Sequence, residues 1–230
     1  MAYHPDDTLL SLYANGEIDT ARGVAIAVHL ESCSRCSERV TELEAIAANA
    51  LTESPLDSTE RNTKSEIETQ RVFENMLEDI MSLDVDFSSP KPRPAAEVKV
   101  NDKTFLVPAS LRPIVERMGE WRSYGGKVFT SNADLGEDYR VSLLYITEGV
   151  QVPQHTHKGI ESTLVLHGAF SDEQGYYQQG DYVEENEDTK HSPQTMEGQD
   201  CLCLSILTQP LVFTQGVARL FNRFGKGMYP

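Results

Sequence analysis

Residues 149–168 read GVQVPQHTHKGIESTLVLHG, and the spacing of the donors in this stretch decides the class of the second half of the chain. His155 and His157 are two apart, so on a β-strand both side chains leave the same face. Gly159 supplies a tight turn and Glu161 returns on the next strand. His191, in GDYVEENEDTKHSPQT, is placed to join them from a later strand. Three imidazoles and one carboxylate accept Zn2+, Mn2+, Fe2+, Ni2+ or Cu2+, so ligand type leaves the ion open. His167, beside Gly168, stands outside the set and reads as a surface or packing residue.

The sequence around this stretch consists of short apolar runs. EVKV, KTFLVP, GKVFTS, YRVSLLYI, STLVLHGAF and CLCLSILT are rich in Val, Leu, Ile, Phe and Tyr, with Gly, Asn, Asp and Pro between them. Many short strands with turn signals indicate an all-β barrel or sandwich. From Gly149 to Gly168 the chain fits G-x5-H-x-H-x3-E-x6-G, which resembles the first cupin motif at every fixed position. The resemblance implies a jelly-roll barrel, with His155, His157, Glu161 and His191 as ligands and zinc as the favoured ion. The second cupin motif is only partly present, because its P-x-G is absent and Thr195 stands where Asn is usual.

Upstream, the period is helical. HPDDTLLSLYANG, DTARGVAIAVHLES and CSERVTELEAIAANAL carry apolar residues at helical spacing, with Asp19 or Thr20 as a cap and Gly16 as a stop. A polar stretch at 52–65 reads as a linker. The helix expected at 66–83 places Val72, Phe73, Met76, Leu77, Ile80 and Met81 on one face, for core packing or for a partner. SSPKPRPA, with three prolines in five positions, permits neither helix nor central strand. The chain therefore reads as two domains: an all-α bundle over 1–87, a proline-rich linker over 88–96 and an all-β domain over 97–230.

Within the helical half, His29 and Cys33 are four apart at a predicted helix end, and Cys33 and Cys36 form C-x2-C. With His4 they make the two thiolates and two imidazoles that suit tetrahedral structural zinc. A redox pair is the competing reading of CSRC, and it leaves His29 unexplained. The arrangement H-x24-H-x3-C-x2-C resembles that of the zinc-binding anti-sigma factors, and its combination with a cupin resembles the ChrR group among them. The resemblance implies two Zn2+ sites and an N-terminal domain that holds an extracytoplasmic-function sigma factor. It assigns part of that contact to the face of Val72, Phe73, Met76, Leu77 and Ile80. It also implies that the cupin domain answers singlet oxygen or organic peroxide by releasing the sigma factor. Members of the group carry a cysteine pair like Cys201 and Cys203. The residues alone leave these as buried small side chains or as a redox pair. Two residues apart on a strand, they sit at the edge of disulfide reach, and oxidation to a sulfenic acid is easier chemistry.

Composition sets the bounds. The formal charge is −16, from 36 acidic and 20 basic side chains, which repels phosphate backbones and argues against direct nucleic-acid binding. It suits a basic protein partner, or solubility alone. The N-terminus MAYHPDDTLL has no basic region followed by an apolar run, and GVAIAV is too short to span a bilayer. A cytoplasmic protein without membrane contact is expected, with its cysteines as thiols or ligands. The alternative is a metal-dependent cupin enzyme such as a small-molecule dioxygenase. Tyr124, Tyr145, Tyr176, Tyr177 and Glu184 are its acid or base candidates, though their spacing singles none out.

Overall fold

The computed structural model describes residues 3–53, 63–83, 94–136, 138–220 and 222. One compact unit comprises Met1–Ala45 with Pro94–Pro230, and a second comprises Ile46–Arg93. Most of both expected linkers falls outside the described residues, at 54–62 and 84–93.

Helix α1 (Asp7–Ala14) begins where the Asp6 carboxylate accepts the Leu9 N–H at 2.8 Å. It ends before Gly16, whose φ of +70° is the left-handed conformation that glycine adopts without strain. Asp19 caps α2 (Thr20–Ser32) in the same way, through the Arg22 N–H at 2.9 Å. α3 (Ser34–Glu53) follows after one extended residue, Cys33, at φ −118° and ψ 97°. That break lets the start of α3 turn Cys36 back toward the end of α2. α4 (Thr63–Ser82) lies in the second unit, and its Val72, Phe73, Met76, Leu77 and Ile80 are 48–60% exposed.

Strands β1 (Ala96–Val100) and β2 (Lys103–Val107) form a hairpin, and the short α5 (Arg112–Val115) follows. The remaining strands are β3 (Arg122–Tyr124), β4 (Val128–Ala133), β5 (Arg140–Ile146), β6 (His155–His157), β7 (Glu161–Ser171), β8 (Tyr176–Gln178), β9 (Tyr182–Glu185), β10 (Lys190–His191), β11 (Cys201–Leu207) and β12 (Leu211–Phe213). They divide between two sheets. One runs β3-β4-β5-β11-β7-β8 with β9 also on β7, and the other runs β10-β6-β12. The chain is thus a helical N-terminal region followed by a C-terminal β-domain. No helix among the described residues is long and apolar enough to cross a membrane.

β11 explains how the helices and the site share one scaffold. All seven of its residues are buried. Leu202, Leu204 and Ile206 join Leu9, Leu10, Ala25 and Ile26 of α1 and α2 in one core. Each such side chain contributes about 1.5–3 kcal/mol on burial. Cys201 and Cys203 point the other way, into a second cluster with Val165, Phe170 and Tyr177. A bulge shifts the register against β7 between Leu202 and Cys203. Beside it Gly168 takes φ +70°, and any Cβ there would run into the Asp200 carbonyl oxygen.

Candidate metal centres

The first cluster forms where α2 ends. His29 is buried, and its Nδ1 donates to the Gly180 carbonyl at 2.7 Å, which leaves Nε2 as a bare lone pair. That nitrogen lies 3.4 Å from His4 Nδ1, which in turn is 3.4 Å from both Cys33 Sγ and Cys36 Sγ. Four ligands about 2.0–2.3 Å from one tetrahedral zinc stand about 3.3–3.8 Å apart, so the separations fit the ion. Burial lowers the His29 pKa despite the opposing Gly180 bond, which keeps the ring neutral and ready to ligate. Burial and the neighbouring Cys33 push the Cys36 thiol up to about 12. Coordination to zinc would reverse that by removing the thiol proton.

The second cluster combines β6, β7 and β10. His155 pairs with His191 across β6 and β10, while His157 and Glu161 complete the group, all four buried. His155 Nδ1 donates to the Pro153 carbonyl at 2.9 Å, and His191 Nδ1 donates to Asp172 Oδ2 at 2.9 Å. In neutral rings both Nε2 atoms are then lone pairs, and they face each other at 3.0 Å. His157 Nε2 is 2.7 Å from Glu161 Oε2 but off the hydrogen-bond direction, and neither of its ring nitrogens has a hydrogen-bond partner. Buried lone pairs aimed at one another need a cation between them. Ligands at right angles and about 2.1 Å from a metal stand about 3.0 Å apart, so this set is more compact than the first.

Neighbouring residues tune the second cluster. Burial lowers the His155 pKa to about 4. Burial also opposes ionisation of Glu161, but His157, His155 and the Ser205 hydroxyl at 2.7 Å outweigh it and hold the carboxyl at about 2. His191 is raised, because Asp172 and Glu161 overcome the cost of burial. Asp172, Glu185 and His191 form a third grouping. Asp172 already accepts from His191 and from the N–H groups of Gln174 and Gly175, so it orients His191. Asp172, Ser205 and the Pro153 carbonyl were not anticipated from the sequence. Ser205 alone left a signal there, two residues after Cys203 on the same strand face.

The remaining expected residues fall into place around these clusters. Cys201 and Cys203 are free thiols, fully buried, with Sγ atoms 3.4 Å apart. Contact with Cys201 and burial raise the Cys203 pKa well above the usual thiol value. Tyr145 donates to Asp200 at 2.7 Å, and Glu184 accepts from Ser162 and Tyr182, so neither is a spare acid or base. His167 is half-exposed against Phe105 and Asp200.

The turn between β8 and β9 ties the first cluster to the β-domain. Gly180, at φ +94°, gives its carbonyl to His29. Asp181 accepts the Tyr3 N–H at 3.1 Å, and the Tyr182 N–H returns to the Tyr3 carbonyl at 3.1 Å. The Tyr3 ring lies 4.5 Å from that of Tyr177, which lies 4.8 Å from Phe170. The residue before His4 is thus clamped to the β8–β9 segment, whose Tyr177 packs with Cys201 and Cys203.

Comparison with known proteins agrees with this geometry. A family model described as the ChrR cupin-like domain matches residues 129–210, and one described as a putative zinc-finger matches residues 7–37. The anti-sigma-E factor ChrR of Cereibacter sphaeroides is 31% identical over 226 residues, covering 96% of this chain and 97% of the relative. A chain in the crystal structure of Rhodobacter sphaeroides SigE in complex with the anti-sigma ChrR overlies this one with a TM-score of 0.66 and 30% identity. That match covers 89% of this chain and 98% of the other. The β-domain is therefore cupin-like, His29, Cys33 and Cys36 lie within a zinc-finger region that His4 precedes, and the protein belongs to the family of the anti-sigma-E factor ChrR.

Proposed function

We propose that this protein is a cytoplasmic anti-sigma factor that holds an extracytoplasmic-function sigma factor and frees it when the cupin-like domain meets an oxidative signal, singlet oxygen or organic peroxide. Residues 1–87 act as a zinc-built helical bundle and residues 97–230 as a jelly roll, with the proline-rich segment 88–96 between them. Zinc at His4, His29, Cys33 and Cys36 would tie the N-terminal segment, α2 and α3 together, as structural zinc does in small modules. The exposed apolar face of α4, with Phe73 and Leu77 at 60%, would pack on the sigma factor. His155, His157, Glu161 and His191 would hold the second ion, also taken as zinc, and Cys201 with Cys203, whose sulfurs are 3.4 Å apart, would be the redox pair.

The observation that carries this reading is His29. One imidazole belongs to the zinc cluster through Nε2 and to the cupin-like domain through Nδ1 on Gly180. Any change that moves the β8–β9 segment along β7 must alter the orientation of that ligand. The likeness to ChrR supports a regulator over the cupin enzyme considered from the sequence. The full chain co-expressed with its sigma factor should purify as a stoichiometric complex that oxidant dissociates. A His155→Ala, His157→Ala variant should still hold the sigma factor and should release little of it under oxidant. Loss of sigma binding in that variant would overturn the division of labour.

A further inference from the structure

The inner face of the cupin-like domain is not filled by its own side chains. A cavity of about 600 Å3 opens beside His155, Glu161 and His191, within the range of about 300–1,000 Å3 typical of small-molecule sites. Its walls are mainly hydrocarbon, from Val128, Leu144, Ile146, Phe170, Val183 and Phe213. Leu144 sits in the middle of β5, a central strand, and yet it is only half-buried. The explanation is that its free surface faces this cavity. An apolar space of this size neither packs nor hydrates well.

The polar end of the cavity selects by charge. Glu161, Asp172 and Glu185 all lie on its wall, with His155 and His191 between them. Three carboxylates outweigh a divalent ion, so a carboxylate or phosphate entering here would meet net negative charge. An uncharged molecule with one oxygen or nitrogen donor meets no such penalty, and the hydrocarbon walls suit the rest of it.

We propose that this cavity is the binding site for an uncharged, largely hydrocarbon ligand whose single polar donor lies against the His155–Glu161–His191 cluster. Binding rests on the cavity alone, whereas its regulatory consequence rests on the function proposed above. An occupant would press on Phe170, which stacks on Tyr177 and through it on Tyr3, the neighbour of His4. Cys203 lines the same wall.

The test uses the zinc-loaded full chain with N-phenyl-1-naphthylamine, an uncharged fluorophore, displaced by 1-octanol or by octanoate. Saturable binding is expected, with octanol competing about tenfold better than octanoate and Glu185→Gln narrowing the gap. Leu144→Trp and, independently, Val183→Phe fill the cavity and should each weaken probe binding at least about tenfold with metal content unchanged. Absence of saturable binding, or binding untouched in whichever filled variant keeps a cooperative unfolding transition, overturns the site. Octanoate matching octanol overturns the uncharged class. Co-purification of the sigma factor is scored in parallel. A chain that holds its sigma factor but not the probe refutes this site alone, and one that binds the probe but no sigma factor refutes the function above.

Discussion

Individual side chains near the clusters act by fixing protons. Asp172 holds His191 with Nδ1 protonated and Nε2 bare, which is the tautomer that a ligand requires. Asp172→Asn removes the charge and leaves the shape, so the fold should persist while affinity at the second metal site falls about 10–100-fold. Competition with a chromogenic chelator measures it, and unchanged affinity would show that His191 is oriented by packing instead. Asp200 makes a separate case away from both clusters. Burial opposes its ionisation, but the Lys103 ammonium at 2.6 Å and the Tyr145 hydroxyl at 2.7 Å hold its carboxyl below the usual value. A depressed carboxylate contributes stability above its unfolded pKa of about 3.9 and loses it as the pH falls through the folded value. Lys103 is 54% exposed, so solvent screening discounts the ion pair. Asp200→Asn should cost about 1–2 kcal/mol at neutral pH, and the gap should close toward pH 3 in denaturant titrations. A gap that widens on acidification would refute the assignment.

Whole elements differ in how far the sequence announces them. The runs EVKV, KTFLVP, YRVSLLYI, STLVLHGAF and CLCLSILT become β1, β2, β5, β7 and β11, because strand residues with a core to cover need no distant cue. β10 is expected only as the strand that carries His191, and β8, β9 and β12 are not announced, being three or four residues long, with amide or charged residues in β8 and β9. In each donor set three members stand at short spacing, His29-Cys33-Cys36 and His155-His157-Glu161, and the fold brings the distant His4 and His191 to them. The clamp that fixes the first set to the β-domain was not readable. Tyr3 and Asp181 are 178 positions apart, and the Gly180 carbonyl is backbone, which no residue type advertises. Tyr3→Ala removes the ring that seats residues 3 and 4 on the β8–β9 segment. It should leave both metals bound and lower stability by about 2–4 kcal/mol. In an assay of sigma release it should blunt the proposed oxidant response, and an undiminished response would exclude the β8–β9 segment as the route. On α4, where Phe73 and Leu77 are exposed, Phe73→Asp with Leu77→Asp should shift unfolding by no more than about 0.5 kcal/mol per site. If the face packs on the sigma factor, the same pair should weaken the complex at least about tenfold in titration calorimetry.

Charge distribution acts at the scale of the molecule. Residues 1–87 hold 18 acidic and 6 basic side chains, so −12 of the formal −16 belongs to the part proposed to hold the sigma factor. A sigma factor meets promoter DNA with basic surface, and a polyanionic partner competes for that surface by imitating its charge. Encounter between such partners is steered over a distance set by salt, about 30 Å at 10 mM and about 8 Å at 150 mM. Raising salt across that range should therefore slow association about tenfold or more, while dissociation, governed by buried apolar contacts, changes much less. Stopped-flow mixing of the two purified proteins separates these rates. An association rate flat in salt would mean that the negative charge of the helical half serves solubility alone. The α4 face would then have to find the sigma factor without steering.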